Sequence, residues 1–362
     1  MALFEAQYKT NAFLYKNIAK PILFKFDPEL MHDVFTAIGA QLGRYTLTRT
    51  IAKSLYNYQS SILEQNLKGI QFINPFGLSA GFDKNARMMD VMEAIGFGFV
   101  EVGSITNLAS PGNSGIRLKR IPEKNAIWVN FGLNNDGAVR IKDRLTDTHA
   151  HIPIGLSIAR TNCKETVDEK VAIKDQVKAF KTLKDQGSYI TLNISCPNSY
   201  GGQPFSNPRR FEKLMNALSK ININKPLFVK LSPDLTDHNI YRIIAISKKY
   251  NVSGFICSNL TKQKGVASGG YSGKMVEDKA NSLLSKVYKK TKGKFILIGC
   301  GGVFTAEDAY TKIKLGANLV QLATGLIYRG PSLIGELNYE LTQLLKKDGH
   351  ASISEAVGSA YT

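Results

Sequence analysis

Tyr189-Ile190-Thr191-Leu192-Asn193-Ile194-Ser195-Cys196-Pro197-Asn198-Ser199-Tyr200-Gly201-Gly202 carries the reading of the whole chain. Its first four residues form a short, apolar, partly β-branched run, the pattern of a buried strand. Pro197 and the glycine pair at 201–202 end that strand and force a loop. Two amides and a thiol are thereby delivered to a strand's carboxyl end. Asn193 and Asn198 each offer a donor and an acceptor, which suits a ring of alternating C=O and N–H groups. Cys196 is the one group among them that can take up a proton. A lone junction of this kind is most often an ordinary strand end with a half-buried cysteine, and the surrounding chain is what gives it meaning.

On both sides the same rhythm recurs. Strands are expected at 77–80, 99–102, 154–158, 189–194, 227–231, 254–257, 295–298 and 319–322. Amphipathic helices are expected near 85–95, 136–145, 169–186, 208–219, 237–249, 280–290, 306–315 and 333–345. Eight strand-then-helix units in succession predict an α/β fold, a closed parallel (β/α)8 TIM barrel, whose chemistry sits at the carboxyl ends of the strands. Residues 1–50 differ. Phe13, Leu14, Ile18, Ile22 and Leu23 recur at helical spacing, interrupted by Pro21. Asp27-Pro28-Glu29 then opens a second helix as N-cap, first position and acidic first turn, and Gly43 closes it. The expected organisation is an N-terminal two-helix extension (1–50), a linker (51–69) and the barrel (70–362). The apolar stripes of the extension either pack on the barrel or form a membrane-surface foot or a mouth for a greasy ligand.

The other strand ends carry chemistry too. The first runs into Ser79-Ala80-Gly81-Phe82-Asp83-Lys84, with Lys84 a cation at the mouth. The fifth holds Lys230 inside an apolar run. An unpaired ammonium is costly there, so either a salt bridge or an anionic cofactor is expected. The sixth runs into Ser258-Asn259, followed by Gly269-Gly270-Tyr271-Ser272-Gly273, read as a flexible loop near the mouth. The last two run into Gly299-Cys300-Gly301-Gly302 and Ala323-Thr324-Gly325, where such barrels seat a phosphate. The bare reading is a barrel with a phosphate seat, two inward lysines, three amides and one thiol, and hence a phosphorylated cofactor. No G-x-G-x-x-G follows a strand, which argues against a Rossmann-type nicotinamide site.

Composition sets bounds. Hydrophobic residues at 43% and charged residues at 21% describe a globular chain with material for a large core. The four cysteines are far apart with no C-x-x-C pair, so neither a disulfide framework nor a zinc site is expected, and reduced thiols in a cytosolic compartment are. The net charge of +18 is spread over helices and loops with no aromatic-basic motif, so nucleic acid is not expected, while an anionic lipid or substrate fits. No apolar run reaches membrane-spanning length, and the start lacks the pattern of a signal peptide.

From about Phe13 to Gly358 the chain resembles the dihydroorotate dehydrogenases, specifically the quinone-dependent, membrane-associated class. The motifs are Asp27-Pro28-Glu29-Leu30-Met31-His32, Ala80-Gly81-Phe82-Asp83-Lys84, Gly132-Leu133-Asn134-Asn135, Asn193-Ile194-Ser195-Cys196-Pro197-Asn198, Val229-Lys230-Leu231-Ser232-Pro233-Asp234 and Gly269-Gly270-Tyr271-Ser272-Gly273. The resemblance implies an FMN barrel that oxidises dihydroorotate to orotate in pyrimidine biosynthesis. It further implies a membrane quinone as acceptor and peripheral attachment on the cytoplasmic side. Cys196 would be the base. Lys84, Asn130, Phe131, Gly132, Leu133, Asn193, Asn198 and Asn259 would hold the substrate. Ala80, Gly81, Lys84, Ser104, Ser157, Asn193, Lys230, Ser258, Gly270, Gly301, Gly302, Ala323 and Thr324 would hold FMN, and His32 and Arg120 would meet the quinone.

Departures from the class pattern are Cys196 where Ser is usual and Val129 where an Asn contacts orotate, with Asn130 one residue later. Ser157 stands for an Asn, Leu260 for a Thr and Ala323 for a Tyr. The alternatives they motivate are a related flavoprotein acting on another cyclic amide, or a non-catalytic barrel that binds FMN or a membrane.

Overall fold

The computed structural model describes residues 2–263, 265–266 and 268–361. Eight parallel strands close into one ring in the order β10-β12-β13-β3-β4-β7-β8-β9. In chain order, a hairpin of β1 (Gln65–Leu67) and β2 (Ile70–Phe72) precedes β3 (Phe76–Leu78) and β4 (Phe99–Ile105). Strands β5 (Leu118–Ile121), β6 (Ala126–Val129), β7 (Ile154–Ile158), β8 (Tyr189–Asn193) and β9 (Leu227–Leu231) follow. The last are β10 (Gly254–Cys257), β11 (Gly270–Gly273), β12 (Ile296–Cys300) and β13 (Leu319–Leu322). All eight expected barrel strands are present, each within a few residues of its expected bounds. Their apolar outer faces pack against the helices that follow them in one continuous core. The hairpin closes the barrel's amino end. Phe72, Phe99, Tyr189 and Phe228 form a chain of edge-on aromatic contacts there, with ring centroids 5.2–6.5 Å apart.

Three differences from the expected layout have physical causes. The segment 51–69 is not a linker: Thr46–Tyr56 is helical, and β1 lies within 65–67. Its helical half was obscured by β-branched and polar residues, whose stripe makes sense only once the barrel lies beneath it. Gly43 does not stop the second helix, which runs Pro28–Arg44. A Cβ at Gly43 would lie 3.3 Å from the Val91 nitrogen, so this glycine serves close helix packing. The 269–273 segment is not a free loop either. Gly270–Gly273 pairs antiparallel with β6, which in turn pairs with β5, forming a three-stranded sheet outside the ring.

The amino-terminal helices follow their local chemistry. Asp27 caps its helix, accepting the N–H groups of Glu29 (3.0 Å) and Leu30 (2.9 Å). Pro21 cannot donate to the preceding turn, and the helix before it widens into a π turn at Tyr15–Ala19. One side of this assembly touches the barrel, as where the buried Tyr8 hydroxyl donates to Glu340 at 3.2 Å. The other side leaves Phe13, Ile18, Ile22, Leu30 and Leu47 between 53% and 71% exposed. No described helix is long and apolar enough to cross a membrane.

Gly77 lies where an added Cβ would sit 2.2 Å from the Phe99 ring. Gly77→Ala is therefore expected to cost about 1–3 kcal/mol through overpacking. The readout is a lowered urea midpoint at unchanged slope.

Candidate active site

The strand ends converge on one cleft. Lys84 is placed by its neighbour Asp83, whose buried carboxylate accepts the N–H groups of Asn85 (3.3 Å), Arg87 (2.8 Å) and Met88 (2.8 Å). That turn drives the Lys84 ammonium into the cleft, 3.8 Å from the Phe131 ring centroid. Burial lowers its pKa to about 8, against the opposing charges of Asp33, Glu29 and Asp83. Lys230 is 3% exposed and donates to Ser79 Oγ at 3.3 Å. It makes no ion pair among the described residues, so of the two expectations for it the salt bridge is not realised.

The amides form a linked set. Asn193 Nδ2 donates to Ser104 Oγ (2.8 Å), and its Oδ1 accepts from the Ser195 N–H (3.1 Å). Asn259 Nδ2 donates to Ser195 Oγ (2.9 Å). Asn198 Nδ2 donates to the Val129 carbonyl (2.9 Å), while its buried Oδ1 has no partner. Asn134 Oδ1 is likewise buried and unpartnered in the same wall. Both oxygens are sealed from solvent inside the wall and find no donor among the described residues, which is a cost to the fold. Cys196 stands beside Asn198, half-buried. Burial pushes its thiol up, against the Asn198 N–H and the charges of Arg160, Lys230 and Lys262.

Most residues singled out in the sequence line this cleft: Ala80, Gly81, Lys84, Ser104, Phe131, Gly132, Leu133, Asn193, Cys196, Asn198, Lys230, Ser258, Asn259, Gly301, Ala323 and Thr324. Four do not. Asn130 points away because side chains alternate along β6, and Val129 takes the inward place. Its Oδ1 accepts from Asn113 at 3.0 Å. Ser157 stands behind Ser104, the two hydroxyls 2.8 Å apart. Gly302 lies against the first residue of helix Glu277–Thr291, where a Cβ would come within 2.5 Å of Glu277 Cβ. Gly270 packs under Leu260 and Pro197. Residues passed over are Asn134, Ser79, Cys300 and Ser272, whose hydroxyl lies 2.8 Å from that of Thr324. All four sit inside motifs already quoted; Asn134, Ser79 and Cys300 adjoin residues that were chosen, and Ser272 stands two positions from Gly270.

A second, apolar cleft lies between the amino-terminal helices and the barrel. It shares His32, Phe82, Leu118, Ile127 and Ile327 with the first. His32 donates from Nε2 to the Phe82 carbonyl (2.8 Å). Burial and nearby Lys84 lower its pKa, which favours the uncharged ring. Arg120 lines this cleft, half-buried, and donates to the Phe26 carbonyl at 2.8 Å.

The model of the family described as dihydroorotate dehydrogenase matches residues 62–345. The chain belongs to the dihydroorotate dehydrogenase family. It is 36% identical to the dihydroorotate dehydrogenase (quinone) of Trichormus variabilis, over 95% of this chain and 98% of the relative. It is 38% identical to the enzyme of the same name from Sulfurovum sp., over 96% and 99%. Among solved structures it is similar to DHODH from Eimeria tenella in complex with ferulenol, with a TM-score of 0.83 and 28% identity, covering 92% of this chain and 96% of that one. Like these dihydroorotate dehydrogenases, the chain is an enzyme built on a (β/α)8 barrel with added amino-terminal helices.

The low pKa of Lys84 has a measurable consequence. Its ammonium attracts a carboxylate and is lost as pH rises through about 8. Orotate affinity should therefore fall above that pH. Lys84→Met should bind weakly across the range, with that pH dependence removed, as titration calorimetry would show.

Proposed function

We propose that this chain oxidises dihydroorotate to orotate with a bound FMN and passes the electrons to a membrane quinone. The observation that carries this reading is the shared wall. A polar cleft holding a thiol, amides and two amines abuts an apolar cleft roofed by helices, with His32 and Phe82 lining both. Such an arrangement suits two ligands of opposite polarity that exchange electrons without meeting.

The residues present fit FMN. Lys230 is a buried cation without a carboxylate, ready for an electron-rich ring edge. Gly81 has φ +102 with nothing within 4 Å of its missing Cβ, which leaves room for a flat ring. Gly301, at φ +109, with Ala323 and Thr324, lines the end where a phosphate would sit. When bound, FMN supplies the acceptor for the hydride from C6 of the substrate. The chain's own part is acid–base chemistry and orientation. Lys84 binds the carboxylate. Asn193, Asn198 and Asn259 line the ring edge with amide donors and acceptors. The Cys196 thiolate takes the C5 proton and becomes the thiol.

The exposed apolar faces of the foot, with the basic balance of the chain, fit peripheral seating on the anionic cytoplasmic face of a membrane. A quinone then enters the apolar cleft from the bilayer, and Arg120 and His32 offer polar contacts from its wall. Val129 and Leu260, both in the polar cleft's wall, favour one other reading, a cyclic amide with a more apolar edge than dihydroorotate. Anaerobic bleaching of the flavin by dihydroorotate separates the two.

The base acts as thiolate, and burial raises its pKa, so bleaching should climb with pH through a midpoint above the ordinary thiol value. Cys196→Ser should shift that profile further upward. Cys196→Ala should retain orotate binding yet bleach about a hundred- to ten-thousand-fold more slowly. Bleaching as fast as the parent would reduce Cys196 to a packing residue.

Leu42 lines the apolar cleft and is 43% exposed at its edge. Leu42→Trp should slow reduction of a long-chain quinone in anionic vesicles while leaving bleaching by dihydroorotate intact. Both proteins should co-sediment with those vesicles. An unaffected quinone rate, or a parent that stays in the supernatant, would count against this role for the foot.

A further inference from the structure

The loop that carries Cys196 is held by a side chain that does not line the polar cleft. Arg160 follows β7 and is 4% exposed. Its Nη1 donates to Thr166 Oγ1 (2.6 Å) and to the Thr166 carbonyl (3.1 Å). Its Nη2 donates to the carbonyls of Tyr200 and Gly202 (3.1 Å for the latter) and to Ser199 Oγ (3.5 Å). One guanidinium thus ties the turn that follows Cys196 to the loop after β7. Neighbouring Asn162 adds a second strap, accepting the Tyr200 N–H (2.5 Å) and donating to the Gly132 carbonyl (2.8 Å).

The charge of Arg160 is balanced from a distance and not by contact. The nearby carboxylate, Asp175, is turned to Thr161, accepting its N–H (2.7 Å) and its hydroxyl (2.9 Å). Among the described residues Arg160 makes no ion pair. It and Cys196 both line one small hollow that also reaches Asn193 and Leu133.

We propose that Arg160 is the positioning residue of the base, holding the Cys196 loop against the ring site and favouring the thiolate through its unpaired charge. This rests on the reading of Cys196 as the base. The charged groups that face the thiol are Arg160, Lys230 and Lys262, and all three oppose the upward push of burial. Lys262 is exposed, so solvent screens it. Lys230 is directed to Ser79 Oγ (3.3 Å) and is common to the parent and the Arg160 variants, so it does not enter the comparison. Arg160 is the remaining cation, and the groups facing it are Cys196, Cys163 and Asp175.

The test uses the flavin-loaded full chain with Arg160→Met and Arg160→Lys. Two quantities are followed across pH: peptide-resolved alkylation of Cys196 by iodoacetamide, and anaerobic bleaching by dihydroorotate. Arg160→Met should move the Cys196 alkylation midpoint up by about one pH unit and slow bleaching about tenfold near neutrality, with flavin content unchanged. Arg160→Lys keeps the charge and loses most of the strap. Its midpoint should stay near the parent's while KM for dihydroorotate rises. An unshifted Cys196 midpoint in the Met variant overturns the proposal. Should that variant not fold, Arg160→Gln takes its place against Arg160→Lys, and equal midpoints in those two overturn it. The alkylation readout does not depend on turnover, so it can fail while Cys196→Ala still shows the base to be needed, and the reverse.

Discussion

The pairing of β13 with β3 is the contact on which the rest depends. It joins the last strand of the ring to the first, across more than two hundred residues, through the register Val320↔Phe76 and Leu322↔Leu78. The ladder continues one step further, with the Ser79 N–H donating to the Leu322 carbonyl at 3.0 Å. Closure therefore sets Ser79 beside Cys300 and Lys230, from three different strands, and turns eight separate strand ends into one cleft. Because parallel strands need crossover helices, the same closure surrounds the ring with helices and leaves the strand ends as the open face.

Inside that face the chain accepts an electrostatic cost. Among the described residues Lys84 and Lys230 are buried amines that make no ion pair. A core built for stability alone would contain none of these. Together they describe the complement of a ligand set with anionic groups. The arrangement also explains why Asp83 is spent on capping its own turn instead of pairing with Lys84. Fixing the backbone there aims the ammonium while leaving its charge free.

The amino-terminal helices meet the opposite constraint. One side of them packs on the barrel and the other exposes large apolar side chains, with an apolar cleft between. Burying the outer residues against the barrel would close that cleft, so the apolar exposure and the cavity are two aspects of one geometry. His32 stands at the junction, hydrogen-bonded to the Phe82 backbone. Phe82 in turn belongs to the same strand-end turn as Lys84. The two clefts are therefore mechanically one unit.

Local patterning determined a good deal of this. The β-branched runs and their flanking turns located all eight barrel strands, and Asp27-Pro28 located a helix start to the residue, because those signals act within a few residues. The same locality placed Cys196, Asn193 and Lys84 at strand ends and Lys230 inward. What lay beyond reach depends on partners distant in the chain. β11 reads as a glycine-rich loop until β6, some 140 residues away, offers it an edge. Whether Val129 or Asn130 faces the ring is a matter of strand register, and a shift of one residue exchanges them. Gly43 reads as a stop signal until Val91 lies against it. Arg160, a polar residue after a strand, gains a role only when the turn at 199–202 folds over it. Sequence alone determined which residues stand at strand ends. The tertiary structure decided which of them face one another, because closure of the ring and the docking of loops are set by contacts that no short window of sequence contains.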